Sequence, residues 1–185
     1  MDLTTFREFF DCCVGRWTTE RTYHYLTTQA VERSHTEFQI TRLDADRKRQ
    51  VLTDNQYDIP PQLENLQGFA LGFHTVSETG EEVSQQLNLL FVPKLDGDGV
   101  LEGDYLRDRA YEESRPIISH FRFTNISREL LMTTEYTRVT SVDSITLINP
   151  TLRIRRIYNF QRPEPGQPLE QMRLVGFGVE QKDTA

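Results

Sequence analysis

Arg153 and Arg155 lie two residues apart in the segment Thr151-Leu152-Arg153-Ile154-Arg155-Arg156-Ile157-Tyr158, whose β-branched and aromatic content otherwise suits a strand. Alternate strand residues share a face, so the two guanidinium groups point the same way. Like charges on a buried face are costly unless an anion meets them, and the planar guanidinium fork suits carboxylates and phosphates. Two readings stand open: the pair faces water, with Leu152 and Ile154 as the buried side, or it faces a hollow that takes an anionic ligand. The stretch Leu106-Arg107-Asp108-Arg109-Ala110-Tyr111 repeats the pattern more weakly, with Arg107 and Arg109 on one face. There the competing reading is a strand end with surface ion pairs, each worth little.

Other chemistries lack their signatures. His24, His35, His74 and His120 are scattered without metal-ligand spacing, so no metal site is expected. Cys12 and Cys13 are adjacent and are the only cysteines, which excludes a disulfide framework and a thiolate zinc site; packing is their expected role. No glycine-rich phosphate loop is present, since Gly97 and Gly99 sit in a turn with acidic neighbours. Serine-hydrolase chemistry lacks a nucleophile elbow, and the pairs Glu81-Glu82 and Glu112-Glu113 read as solvated turn residues.

The elements that must position these arginines fit one domain spanning residues 1–185. A net charge of -7 argues against nucleic acid and anionic membrane as partners but leaves room for a small anionic ligand at a local basic site. No apolar run approaches bilayer length, and Met1-Asp2-Leu3-Thr4 lacks the regions of a signal peptide, so a soluble cytoplasmic protein without membrane insertion is expected.

Thr5-Phe6-Arg7-Glu8 matches a capping box and predicts a short helix to about Cys13, ended by Gly15, with Phe6, Phe9, Phe10 and Cys13 as its apolar stripe. From Arg16 the period becomes two. Trp17, Thr19, Arg21, Tyr23 and Tyr25 share one face, and Ser34, Thr36, Phe38 and Ile40 share a face of the next strand, Val31 to Leu43. Asp44 to Tyr57 reads as a second short helix or lid, closed by Ile59-Pro60-Pro61. Further strands are expected at about 68–77, 82–92, 100–108, 117–123, 129–139, 144–148, 151–160 and 172–181, separated by turn residues.

About ten antiparallel strands in one chain must close or stack to manage their edges, and the expected fold is all-β, an antiparallel up-and-down barrel with the N-terminal helix at one end. The presumed inward faces mix Trp17, Tyr23, Phe38, Leu87 and Leu89 with Thr19, Arg21, Ser34, Thr36, Gln85 and Glu135. That composition is too polar for a dry core and points to bound water or a ligand.

Three segments resemble the S-type phycobiliprotein lyases, which attach open-chain tetrapyrrole bilins to cysteines of light-harvesting proteins. Trp17-Thr18-Thr19-Glu20-Arg21-Thr22-Tyr23-His24 is similar to that family's W-x-S-x-R-T-x-H segment, with Thr19 in place of a serine. Tyr105-Leu106-Arg107-Asp108-Arg109-Ala110-Tyr111-Glu112-Glu113 is a second match, and Asn149-Pro150-Thr151-Leu152-Arg153-Ile154-Arg155 resembles N-P-N-L-R-x-R. The likeness covers nearly the whole chain.

The resemblance implies a lipocalin-like or fatty-acid-binding-like barrel with a ligand cavity. It further implies that Arg153 and Arg155 hold the bilin propionates, with Arg21, Trp17, Phe73 and Arg107 as further ligand-binding residues. The family's glutamate ten residues before the arginine pair is Asp143 here, the catalytic candidate, and a family tryptophan is Phe73. The implied function is a chromophore lyase that takes a free phycobilin, phycocyanobilin being the expected one, and joins it by a thioether to a cysteine of an apo-phycobiliprotein. The bilin is substrate, and no cofactor is implied. A non-catalytic lipocalin-like carrier and an accessory subunit of a heteromeric lyase are the alternatives. A homodimer or a heteromer with a related lyase, and a cyanobacterial cytosol or plastid stroma, complete the expectation.

Overall fold

Buried and exposed residues alternate most clearly in segments such as 117–124 and 34–40, and a sheet whose residues alternate in this way buries one face. In the computed structural model, which describes residues 3–108, 113, 115 and 117–184, that sheet closes on itself. The strands are β1 (Gly15–Tyr25), β2 (Ala30–Arg42), β3 (Gln67–Ser77), β4 (Glu82–Gly97), β5 (Val100–Arg107), β6 (Ile117–Thr124), β7 (Glu129–Glu135), β8 (Val139–Asn149), β9 (Leu152–Gln161) and β10 (Met172–Lys182). Each pairs antiparallel with its neighbours in sequence, and β1 pairs with β10 from Trp17↔Lys182 to Tyr25↔Leu174 to seal the barrel. Closure leaves no free sheet edge. The expected up-and-down barrel is the observed fold.

The helix α1 (Leu3–Cys13) plugs one end. Phe6, Phe9, Phe10 and Cys13 are all buried, and the Phe6 ring stacks on Phe121 at 5.4 Å while Phe10 stacks on Phe69 at 4.7 Å. The helix begins at Leu3, so Thr5 lies inside it and is not the capping residue its spacing suggested. Docking of the three phenylalanines, with Cys13 beside them, outweighs a cap worth about 1 kcal/mol in deciding where the helix starts. At Gly15 the backbone takes φ +134°, and a Cβ there would lie 2.5 Å from Lys182 Cε, so the turn from helix to strand requires glycine.

The second helix, α2 (Ala45–Asp54), is capped by Asp44, whose side chain accepts from Arg47 N at 2.8 Å. It is not a lid. Val51 and Leu52 pack on Leu90, Val92 and Leu106, the outward-facing apolar residues of β4 and β5, so α2 lies against the outer wall. Those three positions are apolar on a face that would otherwise meet water, and the helix covers them. No helix among the described residues is long and apolar enough to cross a membrane.

One strand boundary differs from the sequence reading in a way that bears on the site. β7 ends at Glu135 and β8 begins at Val139, whereas the pattern suggested one strand to 139 and the next from 144. Tyr136 N donates to Val139 O at 2.8 Å, closing the turn early, and β-branched Val139, Thr140 and Val142 extend β8 backward. Asp143 therefore stands inside a strand. Glu135, expected to face inward, is exposed and pairs with Arg162 at 3.1 Å.

Candidate functional site

Inward-pointing side chains do not fill the barrel. They enclose a cavity of about 510 Å³, floored by Phe9, Phe10 and Cys13 of α1 and reaching Tyr25, Glu32 and Glu81 at the opposite, open end. That volume lies within the range of small-molecule sites. Phe69, Leu71, Phe73, Leu87, Leu89 and Phe91 form one wall, and polar residues of β1, β8 and β9 form the other. The strand phase of β9 is settled: Arg153, Arg155, Ile157 and Asn159 line the cavity, while Arg156 turns outward to Glu129 at 2.6 Å and Ser144 Oγ at 3.0 Å. Leu152 and Ile154 are not the inward side.

Arg153 lies deepest. Its Nε donates to Glu180 Oε2 at 2.5 Å, and its guanidinium lies 4.6 Å from the Trp17 ring and 5.1 Å from Phe38. Trp17 is packed behind Arg153, stacked on Phe38 at 6.3 Å, with its indole N–H donating to Cys13 O at 2.9 Å, and does not line the cavity. It supports the arginine and does not form ligand wall. Glu180 also accepts from Arg21 Nη2 at 3.3 Å, so one fully buried carboxylate serves two guanidiniums. Burial pushes the Glu180 carboxyl up, but attraction to Arg153, then Arg21 and Arg155, outweighs it and holds the group below the ordinary carboxylate range. Burial pushes the Cys13 thiol up, against a smaller opposing pull from Arg153, so this cavity-floor cysteine is a protonated packing residue.

Glu180 was not legible as a site residue, because the chain end Val179-Glu180-Gln181-Lys182 looks like a polar terminus. The available signal was alternation: Gly176, Gly178 and Glu180 share one face of β10, opposite exposed Phe177 and Val179. The glycines have a purpose there. A Cβ on Gly178 would lie 2.9 Å from Thr19 Oγ1 and 3.0 Å from Arg21 Cγ, so Arg21 reaches Glu180 only across a bare backbone.

Midway up the cavity, Arg155 directs Nε and Nη2 to Asp143 Oδ1 at 3.1 and 2.6 Å, while Ser141 Oγ donates to Asp143 Oδ2 at 3.3 Å. Arg155 remains charged, since the pull of Asp143 and Glu180 exceeds the effect of burial. Nearer the mouth, Arg107 is buried, and among the described residues its side-chain hydrogen bonds go to neutral groups: Nη2 donates to Thr134 Oγ1 at 2.7 Å and to the Tyr136 hydroxyl at 2.9 Å, and the guanidinium lies 5.1 Å from the Tyr105 ring and 5.6 Å from that of Tyr136. Arg109 lies outside the described residues. Phe73 faces the cavity from β3. Thr134 and Tyr136 were not singled out in the sequence, since only the barrel brings β7 and its end to an arginine of β5, whereas Tyr105 shares a face of β5 with Arg107.

The interior charge is unbalanced. Among the described residues that line the cavity or touch its charged groups below the mouth, four guanidiniums (Arg21, Arg107, Arg153, Arg155) stand against two carboxylates (Asp143, Glu180). Arg21 Nε, Arg107 Nε, Ser34 Oγ and Asn159 Oδ1 are buried without a hydrogen-bond partner. Buried polar atoms are rarely left so unless a ligand or water completes them.

Fold and site together define a lipocalin-like antiparallel β-barrel with a ligand cavity whose inner part is lined by arginines, in a chain that is acidic overall. The family model for CpeS-like proteins matches residues 5–182, and the chain belongs to that family. It is 58% identical over 182 residues to a protein named chromophore lyase CpcS/CpeS 1 from Synechococcus sp. (strain JA-3-3Ab), covering 98% of each chain. It is 25% identical to the phycocyanobilin lyase subunit CpcS of Picosynechococcus sp., over 80% of this chain and 75% of that one. The S-type phycobiliprotein lyase CPES of Guillardia theta shares the fold, with a TM-score of 0.76, 18% identity and coverage of 97% and 93%.

Proposed function

We propose that this chain is a chromophore lyase of the CpcS/CpeS type that binds a dianionic open-chain tetrapyrrole, with phycocyanobilin as the leading candidate, and joins it to a cysteine of an apo-phycobiliprotein. The carrying observation is the set of four guanidiniums facing two carboxylates below the mouth of an aromatic-walled cavity, which suits a conjugated ligand bearing two propionates. The names of the relatives at 58% and 25% identity support the same reading.

In the proposed reaction the acceptor thiol adds across the ring-A ethylidene group. A C–S bond forms, the double-bond electron pair takes up a proton, and nothing is expelled or oxidised. The lyase supplies no nucleophile; the Cys13 thiol, buried on the floor, is poorly placed to be one. The contribution of the barrel is position: the propionates are held among the arginines, the π-system lies along the Phe69–Phe73 wall, and ring A is presented at the mouth. Asp143, set among Arg155, Ser141 and the ligand, delivers the proton or stabilises the charge that develops on the chromophore.

The test mixes purified protein, phycocyanobilin and an apo-phycobiliprotein. Faster formation of a thioether adduct at fewer cysteines than in the protein-free control is expected. Tight bilin binding with an unchanged rate and product mixture would make the chain a carrier, and recovery of activity only with a related lyase would make it an accessory subunit.

A further inference from the structure

Arg153 is the arginine that the sequence marks first as an anion holder, yet its counter-charge is already in place. Glu180 lies 2.5 Å from Arg153 Nε and is itself fully buried, so a ligand carboxylate at Arg153 would compete with a carboxylate already in place. Exchanging one buried anion for another gains little and strands the first. Arg107 is the opposite case. Among the described residues no carboxylate pairs with it, its hydrogen bonds go to two neutral hydroxyls, and its buried Nε has no partner. A desolvated cation with only hydroxyl and ring contacts is expensive to maintain. The rings of Tyr105 and Tyr136, at 5.1 and 5.6 Å, nevertheless hold it in one orientation on the cavity wall.

Position reinforces the contrast. Thr134, which Arg107 reaches, is in register with Ser141, and Ser141 donates to the Asp143 carboxylate that Arg155 holds, so the two arginines occupy neighbouring positions on one side of the cavity. Arg153 lies below them against Trp17, among side chains that pack the plug end.

We infer that Arg107, clamped by Thr134, Tyr105 and Tyr136, is the anchor for one ligand carboxylate and Arg155 for the other, and that Arg153 is a closed structural pair with Glu180. This rests on the reading of the cavity as a site for a dianionic tetrapyrrole, and it moves the carboxylate end of the ligand away from the floor. Arg107 thereby becomes the residue that distinguishes ligands with two carboxylates from those with one or none.

Absorbance titration of the full chain with phycocyanobilin and with its dimethyl ester separates the possibilities, using wild type, Arg107→Gln and Arg107→Lys, each shown to be folded by circular dichroism and thermal melting. Arg107→Gln is expected to weaken binding of the diacid at least tenfold and to leave ester binding within about twofold, with Arg107→Lys recovering part of the preference. Equal losses for acid and ester, or no loss for the acid, would overturn the assignment and leave Arg107 a structural residue. A wild-type chain that shows no preference for the acid over the ester would instead defeat the dianion reading itself, whatever the variants do. If Arg107→Gln fails to fold, the lysine variant decides: an unchanged ratio of acid to ester affinity counts against the anchor, since a shorter-reaching point charge must lose bidentate contact.

Discussion

Asp143 and Arg155 meet diagonally across the β8–β9 pair. Asp143 is in register with Ile157 and Arg155 with Ile145, yet both arginine nitrogens converge on the single oxygen Oδ1. Diagonal neighbours on one face of an antiparallel pair are within reach of a long side chain. The tight turn at Pro150-Thr151, where Asn149 Oδ1 accepts from Thr151 N at 2.9 Å, fixes that register. The pair is only partly buried, so a ligand anion can approach it from the cavity without dismantling the fold.

Arg155 and Arg156 are adjacent in sequence and opposite in consequence. Arg155→Ala removes a cavity cation and should weaken bilin binding more than tenfold, in line with about 1.5–3 kcal/mol for a hydrogen bond to a charged group. Arg156→Ala removes a surface pair with Glu129 and should change binding less than twofold. Absorbance titration of both variants checks this, and similar losses would contradict the strand phase.

Asp143→Asn keeps the volume and removes the charge that Arg155 now faces. Binding of the dianion is expected to hold or tighten, while thioether formation slows and loses cysteine selectivity. A single-turnover assay run beside a binding titration separates the two effects; parallel loss in both would reduce Asp143 to a binding residue.

Glu180→Gln leaves Arg153 buried without its counter-ion and should lower stability by about 3–5 kcal/mol, whereas replacing Arg153 and Glu180 together with leucines should be much milder. The same carboxyl sets an acid limb. Its folded pKa is depressed, so its stabilisation is complete above the unfolded value of about 4.3 and disappears as the pH falls through the lower folded value. Denaturant melts of wild type between neutral pH and about pH 3 should show that decline, and the glutamine variant should show less of it.

Gly178→Ala places a methyl group against Thr19 Oγ1 and Arg21 Cγ at 2.9 and 3.0 Å. A loss of about 1–3 kcal/mol is expected from overpacking, together with weaker bilin binding as Arg21 is pushed from Glu180. Thermal melting and titration measure the two parts.

Much of the fold was legible because a strand writes its burial into every second residue. Trp17, Thr19, Arg21, Tyr23 and Tyr25 of β1 and Ser34, Thr36, Phe38 and Ile40 of β2 lie on the inner side of the barrel as their alternation required, and the stripe Phe6, Phe9, Phe10 and Cys13 plugs it. The boundary between β7 and β8 was less clear, because the residues of the turn, Tyr136-Thr137-Arg138, are themselves acceptable in a strand. α2 looked like a lid because its partners, Leu90, Val92 and Leu106, are outward residues of two distant strands.

Sequence alone determined the class of this protein: a ten-strand antiparallel barrel, arginines on one face of β9, and the motifs of a bilin lyase, all of them properties of local order and spacing. Which arginine is open to a ligand was decided only by tertiary structure. Whether a buried charge is available depends on what lies across the sheet from it: Glu180 from β10 closes Arg153, Asp143 from β8 shares Arg155, and Thr134, Tyr105 and Tyr136 hold Arg107 without neutralising it. Those partners come from four strands, β5, β7 with its end, β8 and β10, and the closed sheet is what brings the last three to the arginines.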